Sequence, residues 1–351
     1  MPDQILVINA GSTSIKYKVF ADIGNLPVLA EGEITGIGKK IKNHQQAIKA
    51  VFRRIARFKN IIAVGHRVVH GGNLFKQPTL INHQVLNKIN KLSFLAPLHN
   101  PPNLAGIKAT QKLLPKVPQY AVFDTSFYAD LPKESYTYAL PPKICQKYGI
   151  RRYGFHGISH SYVAEKAADQ LRLPYQKINL ITCHLGGGTS ITAIRNGQPI
   201  DTSMGFTPLE GPTMMTRSGD LDPMIPVFLA QSAKMKPAKI AKLLNNQSGL
   251  MALCQTADML EIINRVKRRD KNAKFAFELY CYRIQKYIGA YLAILGRIDG
   301  LVFTGAIGAG NALTRQTIIR PLSILGNTPI LTIITDEEWQ IANLIKTFFT
   351  L

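Results

Sequence analysis

Three stretches far apart in the chain each set an arginine or histidine beside glycines in a tight, polar context. They are Gly65-His66-Arg67-Val68-Val69-His70-Gly71-Gly72, Arg151-Arg152-Tyr153-Gly154-Phe155-His156-Gly157 and Thr216-Arg217-Ser218-Gly219-Asp220-Leu221-Asp222-Pro223. Glycine tolerates strained turns and lets a ligand approach the backbone, so each stretch can present a cation or an imidazole at close quarters. Several such groups converging on one site suit an anionic substrate, above all a phosphoryl group in transfer. One turn of this kind is an ordinary surface feature. Three of them, with a further glycine turn at Gly11-Ser12-Thr13-Ser14, point to chemistry on anions.

The elements that must carry these residues follow from apolar periodicity. Ile5–Ile8 reads as a buried strand, Asn9–Ser14 as a polar turn and Ile15–Phe20 as a second strand. Ile178–Cys183, the glycine turn His184–Gly188 and Thr189–Ile194 repeat that arrangement, and Asn196-Gly197 turns the chain into Gln198–Ser203. Gly11-Ser12-Thr13-Ser14-Ile15 and Gly187-Gly188-Thr189-Ser190-Ile191 resemble each other at an offset of 176 residues, as a duplicated domain opening on a phosphate-sized turn would. Leu95–Pro102 reads as a rigid loop leading into a helix over Asn103–Leu114, and Ala121–Phe123 as a short strand ending at Asp124. Helical spacing recurs over His160–Leu171 and Phe275–Leu295. Thr335-Asp336-Glu337-Glu338 has the spacing of a capping box opening a final helix that carries Trp339, Ile341, Leu344, Ile345 and Phe348.

A chain of 351 residues, 46% hydrophobic and 18% charged, suits two ordinary globular domains without a low-complexity linker. No apolar run reaches the ~18 residues a membrane span needs, and the best, Tyr287–Phe303, is broken by Arg297 and Asp299. The first residues lack the basic, then apolar, pattern of a secretory signal, so a cytoplasmic protein with no membrane partner is expected. Cys145, Cys183, Cys254 and Cys281 have no metal-ligand spacing and are expected as reduced, mostly buried thiols. The net charge of +22 gathers at Lys39–Lys42, Arg53–Lys59 and Arg265–Lys271. Such a field steers anionic metabolites toward a site. Lacking interleaved aromatics for base stacking, these clusters are not expected to serve a nucleic acid.

Val7-Ile8-Asn9-Ala10-Gly11-Ser12-Thr13-Ser14-Ile15-Lys16 resembles the opening motif of the acetate kinases. The resemblance continues in the family's order through His66–Gly72, Pro97–Asn103, Phe123–Phe127, Arg151–His160 and Asp201–Pro223, and covers most of the chain. It implies an α/β fold of two ribonuclease-H-like domains (duplicated βββαβαβα) around a central cleft, as in sugar kinases, actin and the heat-shock ATPases. The first domain would be residues 1–128, completed by the C-terminal helix 338–351. The second, residues 129–337, would carry most of the nucleotide site. The reaction implied is reversible, direct in-line transfer of the ATP γ-phosphoryl group to acetate, giving acetyl phosphate and ADP, with Mg²⁺ or Mn²⁺, by a homodimer.

By motif position the resemblance makes Arg67 and Arg217 the groups that bind the acetate carboxylate and the travelling phosphoryl group, with His156 donating to the transition-state oxygens. His99 and His184 would line the same site, although each also suits a structural hydrogen bond in a tight loop. Asp124 would orient Arg67 or the metal shell, and no base is required because acetate is already ionised. Asn9 and Glu337 match the magnesium positions, Glu337 being equally at home as a helix-start acid. Ser12, Ser14 and Lys16 would contact phosphate, Lys16 being equally at home as an exposed strand lysine. Val69, Leu98, Phe155 and Pro208 would enclose a small acyl methyl group and favour acetate over longer acids. The nucleotide would meet His184, Leu185, Gly186, Gly187 and Gly188, then Asp258, Met259 and Leu260, and a late glycine loop of Gly305, Ala306, Ile307, Gly308 and Ala309.

The donor side departs from the family pattern. Gly187 stands where an asparagine is usual, Leu260 replaces an adenosine-proximal arginine, and Ala309 replaces a glutamate, with Asn311 one place late. The in-class alternatives are therefore the same chemistry with GTP or pyrophosphate as donor, or with propionate as acceptor. A nucleotide-binding module without turnover is the alternative from another class, and the retention of Arg67, His156 and Arg217 argues against it.

Overall fold

A computed structural model describes residues 2–350. The chain divides into two compact units, Met1–Ala129 with Phe155–Tyr162 and Asp336–Leu351, and Asp130–Gly154 with Val163–Thr335. Leu351, which the expected final helix included, lies outside the described residues.

The first unit is built on β1 (Gln4–Ala10), β2 (Ser14–Ala21), β3 (Val28–Thr35), β4 (Ile61–Val68), β5 (Thr79–Leu80) and β6 (Gln119–Phe123), in the order β3-β2-β1-β4-β6-β5. The first three form an antiparallel meander, and β4 and β6 continue the sheet in parallel. β1 is apolar at nearly every position because both faces of the sheet are covered. Leu6 and Ile8 pack beneath the helices His44–Arg54 and Asn100–Leu113, while Ile5 and Val7 pack against Ile341 and Ile345 of the helix Glu337–Thr350.

Several helix starts differ from the expected ones: Gly157 in place of His160 and Lys271 in place of Phe275, besides two whose physical reason is local. The helix Asn100–Leu113 begins three residues early, because Pro101 and Pro102 sit in its first turn, where no intrahelical N–H bond is lost. The final helix is capped by Asp336, not Thr335: the Asp336 carboxylate accepts the Trp339 N–H at 2.9 Å and its carbonyl accepts from Gln340 at 3.0 Å. A carboxylate one residue nearer the helix displaces the hydroxyl from the capping role.

The second unit repeats the plan. β7 (Leu180–Leu185), β8 (Thr189–Arg195) and β9 (Gln198–Thr202) form a meander, and β10 (Gly300–Thr304) and β11 (Ile330–Thr332) follow in parallel, giving the order β11-β10-β7-β8-β9. The helix Lys271–Leu295, capped by Asp270, buries Phe277, Tyr280, Ile284 and Ile288 in one cluster with Ile181, Ile191 and Leu301 of the strands. The expected late glycine loop is a short helix, Gly305–Gly310. Its carbonyl end is held by Arg315, whose Nη1 donates to the Gly308 and Ala309 oxygens, both at 2.8 Å.

The helix Gly157–Leu171 starts at a strained point. His156 has φ of 56°, in the left-handed region that costs a non-glycine residue free energy. At Gly157 an added Cβ would lie 2.1 Å from the Asp124 carbonyl oxygen and 2.8 Å from Phe127 Cβ, so only glycine lets the helix start seat there. Gly157→Ala is therefore expected to cost ~1–3 kcal/mol, the usual range for overpacking, read as a lower urea midpoint. A wild-type midpoint would show that the helix start shifts without penalty.

Candidate active site

The parallel strands β4 and β6 end side by side, with Arg67 opposite Val122 and Val68 opposite Phe123. Their carboxyl ends therefore deliver Arg67 and Asp124 to the same place. The Asp124 carboxylate, almost wholly buried, receives Arg67 Nε at 3.1 Å and Nη2 at 2.7 Å, a bidentate pair. Arg67 Nη1 reaches Glu337 at 2.9 Å, so three of the guanidinium's five N–H groups are engaged and two remain for a ligand. Burial works against the Arg67 charge, but Asp124 and Glu337 outweigh it and hold the group above its ordinary pKa. Burial also pushes the Asp124 carboxyl up to about 6, against the pull of Arg67, so it is ionised at neutral pH.

Around this pair the motif residues sort by their contacts. His66 is buried on Gln119 at 2.8 Å, and burial lowers its pKa to about 4, so it is a neutral structural group. His70 is buried too; its Nδ1 accepts the Gly72 N–H at 3.0 Å and its ring meets Phe155 edge-on. Phe155 is itself fully buried, so it shapes a wall from behind and offers no surface to an acyl methyl group. Val69 is partly exposed, its N–H held by Asn103, and Leu98 is exposed. His99 caps the helix Asn100–Leu113, and His156, partly exposed, accepts the His160 N–H on its carbonyl at 2.9 Å.

The tip of the β1–β2 hairpin, closed by the Gly11 N–H on the Ser14 oxygen at 2.9 Å, leaves Ser12 and Lys16 exposed and Ser14 half-buried. Asn9, partly buried near the end of β1, meets the first turn of the final helix. It donates through Nδ2 to Glu338 at 3.0 Å, which leaves its carbonyl oxygen available. Glu338, nearly buried and pushed up in pKa by that burial, is a member of the site that sequence reasoning had treated only as a capping residue. The donor set suits a divalent cation: Asn9 and Glu337 offer hard oxygens beside a local excess of carboxylates. Among the described residues no group of three or more His, Cys, Asp and Glu side chains is shaped to hold a metal unaided. Magnesium, which takes few protein ligands and the rest from water and phosphate, fits such a pair.

In the second unit Arg217 presents the opposite situation. Its Nη1 contacts only the Pro208 carbonyl at 3.4 Å and Met214 Sδ at 3.8 Å, and burial lowers its pKa. Among the described residues no carboxylate pairs with it. Pro208 and Arg217 are thus brought together, as expected. Their segment is tied down by two residues to which the sequence assigned no role. Arg152 binds Glu210 at 2.6 Å and the Thr202 and Ser203 oxygens at 3.0 and 3.2 Å, while Tyr138 also holds Glu210. Asp220 accepts the Gly211 N–H at 2.8 Å and the Tyr287 hydroxyl at 2.6 Å.

Further along the same unit a cavity of about 460 Å³ is lined by Gly186 and Gly187 of the β7–β8 turn, Asp258, Met259 and Leu260, and Ala306 and Ile307. These seven come from three separated motifs of the expected nucleotide site. Met215, Ala257, Gly310 and Asn311 complete the lining; the last three lie in or beside the same motifs, and Met215 carried no signal. Its side chain accepts the Thr314 N–H at 2.8 Å and Asp258 accepts the Leu260 N–H at 2.8 Å, so both polar side chains serve as helix caps.

His184, Leu185, Gly188, Gly305, Gly308 and Ala309 do not line this cavity. Leu185 is buried in the core, and at Gly305, with φ of 78°, a Cβ would lie 2.5 Å from the Leu185 oxygen. Gly305 therefore seats the start of the short helix on β7. His184 lies within β7, between Ser190 and Thr304 on the neighbouring strands.

A duplicated α/β sheet with cations at strand ends and an apolar cavity flanked by a glycine turn defines a handler of small anions and nucleotides. A profile of the acetokinase family matches residues 4–329. The acetate kinase of Helicobacter acinonychis (strain Sheeba) is 46% identical over 92% of this chain and 88% of its own length. The crystal structure of Porphyromonas gingivalis acetate kinase matches with a TM-score of 0.90 at 36% identity, over 99% of this chain and all of that one. A propionate kinase from Francisella tularensis subsp. tularensis SCHU S4 matches with a TM-score of 0.88 at 37% identity, over 97% and 98% of the two chains. The chain belongs to the acetokinase family.

Ionised Asp124 is the form that grips Arg67, and the grip is complete above its pKa of about 6 and lost as the pH falls through that value. The expected kcat/KM profile declines on its acid side with a midpoint near that pH, and Asp124→Asn should lower activity and abolish that limb together. A profile flat to well below that midpoint would show that protonating Asp124 does not matter.

Proposed function

We propose that this protein is an acetate kinase that moves the γ-phosphoryl group of ATP directly to acetate, reversibly, giving acetyl phosphate and ADP. The observation that carries the reading is Arg217: a guanidinium drawn largely away from water with no counter-charge. Such a group is costly to bury unless an anion completes it. Acetate is ionised at neutral pH, so the difficulty of the reaction is not deprotonation but bringing two anions together. Arg67 takes the acetate carboxylate with its two remaining N–H groups, and Asp124 keeps its plane fixed. Arg217 takes the travelling phosphoryl group, whose charge lies on its equatorial oxygens, and His156 donates to the same oxygens. Ser12, Ser14 and Lys16 meet the phosphates from the first hairpin.

Asn9 and Glu337 would hold Mg²⁺ or Mn²⁺, and the ion, when bound, neutralises charge on the phosphate oxygens. Val69, Leu98 and Pro208 bound the acyl group, with Phe155 behind them. Propionate as acceptor is the second reading, favoured by the likeness to a propionate kinase at an identity no lower than that to an acetate kinase. The protein works in the cytoplasm as a homodimer, supplying acetyl phosphate for acetyl-CoA synthesis. No helix among the described residues is long and apolar enough to cross a membrane.

The test is acetyl phosphate formation, trapped as the hydroxamate, from acetate and from propionate. Arg217→Ala is expected to lower kcat/KM about 10²–10³-fold in a folded protein, the usual cost of one donor lost at a transition state. Near-wild-type turnover in that variant would remove the mechanism.

The donor should be chosen loosely. The cavity offers a base mostly backbone groups and apolar side chains, since Asp258 and Asn311 each spend a side-chain oxygen on a helix cap and Leu260 is exposed without a polar group. Base selectivity rests on placed polar groups, so kcat/KM for ATP, GTP and ITP is expected to fall within about tenfold. A hundredfold preference for ATP would mean that the backbone reads the base, and turnover with pyrophosphate alone would promote the other donor.

A further inference from the structure

Between Glu33 and Asp124 the chain carries fifteen lysines and arginines and not one aspartate or glutamate. That stretch supplies most of the net charge of +22. Arg67 is the one cation of the fifteen used by the site; the other fourteen are all exposed. The same stretch builds the helices His44–Arg54, His83–Lys91 and Asn100–Leu113. The third packs on the other two, and together they cover one face of the first unit's sheet. None of the three has an acid in its first turn, where the helix dipole would favour one.

The cations are spaced along the helices. Lys49 and Arg53 stand four residues apart on the first, Lys108 and Lys112 four apart on its neighbour, and Lys88 and Lys91 three apart on the other. Four residues are about 6 Å along a helix axis. No ion pair among the described residues involves any of these six. Leu113 is the one large apolar side chain exposed on the three helices. The layer therefore has no stacking aromatic for the bases of a single strand and no apolar wedge for a bilayer. A duplex asks for neither: its regularly spaced phosphates are met by lysine and arginine alone, without reading sequence.

We propose that this acid-free helical layer is a docking surface for the phosphate backbone of a nucleic acid duplex, independent of sequence and separate from the phosphotransfer site. The absence of aromatics, which set the sequence reading against a nucleic acid, bears on stacked bases of a single strand and leaves a duplex open.

The experiment titrates the whole protein with a mixed-sequence DNA duplex at several salt concentrations. It compares a face variant (K49Q, R53Q, K108Q, K112Q) with a control of equal charge loss in the second unit (K267Q, R268Q, R269Q, K271Q). The wild type is expected to bind with affinity falling steeply with salt. The face variant should lose up to about 3.6 units of the log–log salt slope, at ~0.9 per phosphate contact, while the control keeps the wild-type slope. Acetyl phosphate formation should be unchanged in both, which also shows that both fold. Equal losses in the two variants would overturn the proposal, because net charge and not this face would then hold the duplex. So would the lack of wild-type binding even at low salt. Tighter capture by phosphatidylserine vesicles, lost in the face variant, would reassign the face to a membrane surface.

Discussion

One buried guanidinium organises the first unit. Arg67 joins the end of β4 to the end of β6 through Asp124 and to the final helix through Glu337. Removing any member would leave a charge in a poorly solvated place, so the three positions constrain one another far more tightly than surface ion pairs do. The constraint spreads outward. The Asp124 backbone oxygen lies where a side chain at position 157 would stand, next to His156 in its left-handed conformation. Glu338, next to Glu337, takes Asn9 at the end of β1. The amino-terminal strand, the central strands, the start of one helix and the start of the last are thereby set around a single cation.

The second unit uses the same sheet plan for a different electrostatic purpose. Arg217 is left without a carboxylate, while the charges nearby, Arg152 with Glu210 and Asp220 with Tyr287, are used to hold its segment in place. A paired arginine is held in a fixed plane with part of its hydrogen-bonding capacity spent, whereas an unpaired one keeps all of its charge uncompensated. The contrast between Arg67 and Arg217 is therefore a division of labour that residue type alone does not reveal. The cavity in this unit shows the same economy: Asp258 and Asn311 in its lining each spend a side-chain oxygen on a helix cap.

Much of this was legible from the chain. The paired hairpins, the strand preceding Asp124, the long helix ending at Leu295 and the three arginine and histidine motifs all follow from short-range patterns. Alternation of side chains, glycine turns and apolar runs are dictated by neighbours within a few residues, and so they survive in sequence. The local boundaries that differed did so through competition between adjacent groups, as when Asp336 capped the last helix in place of Thr335. In the same way, the glycine at Gly305 signals a close approach, and the group that approaches it is the Leu185 backbone.

The sequence by itself determined which residues could handle anions, the duplicated sheet plan and the family. It could not determine how the charges pair. His66 and His70 lie in the same motif as Arg67, yet only contacts with Gln119, Asn100 and Phe155 make them structural. Phe155 reads as a pocket residue until its burial removes it from the surface. Glu338 joins the site only because β1 and the final helix, more than three hundred residues apart, meet at Asn9. The physical reason is common to all of these. Protonation, burial and free hydrogen-bonding capacity depend on which groups lie within a few ångströms, and long-range packing chooses those groups.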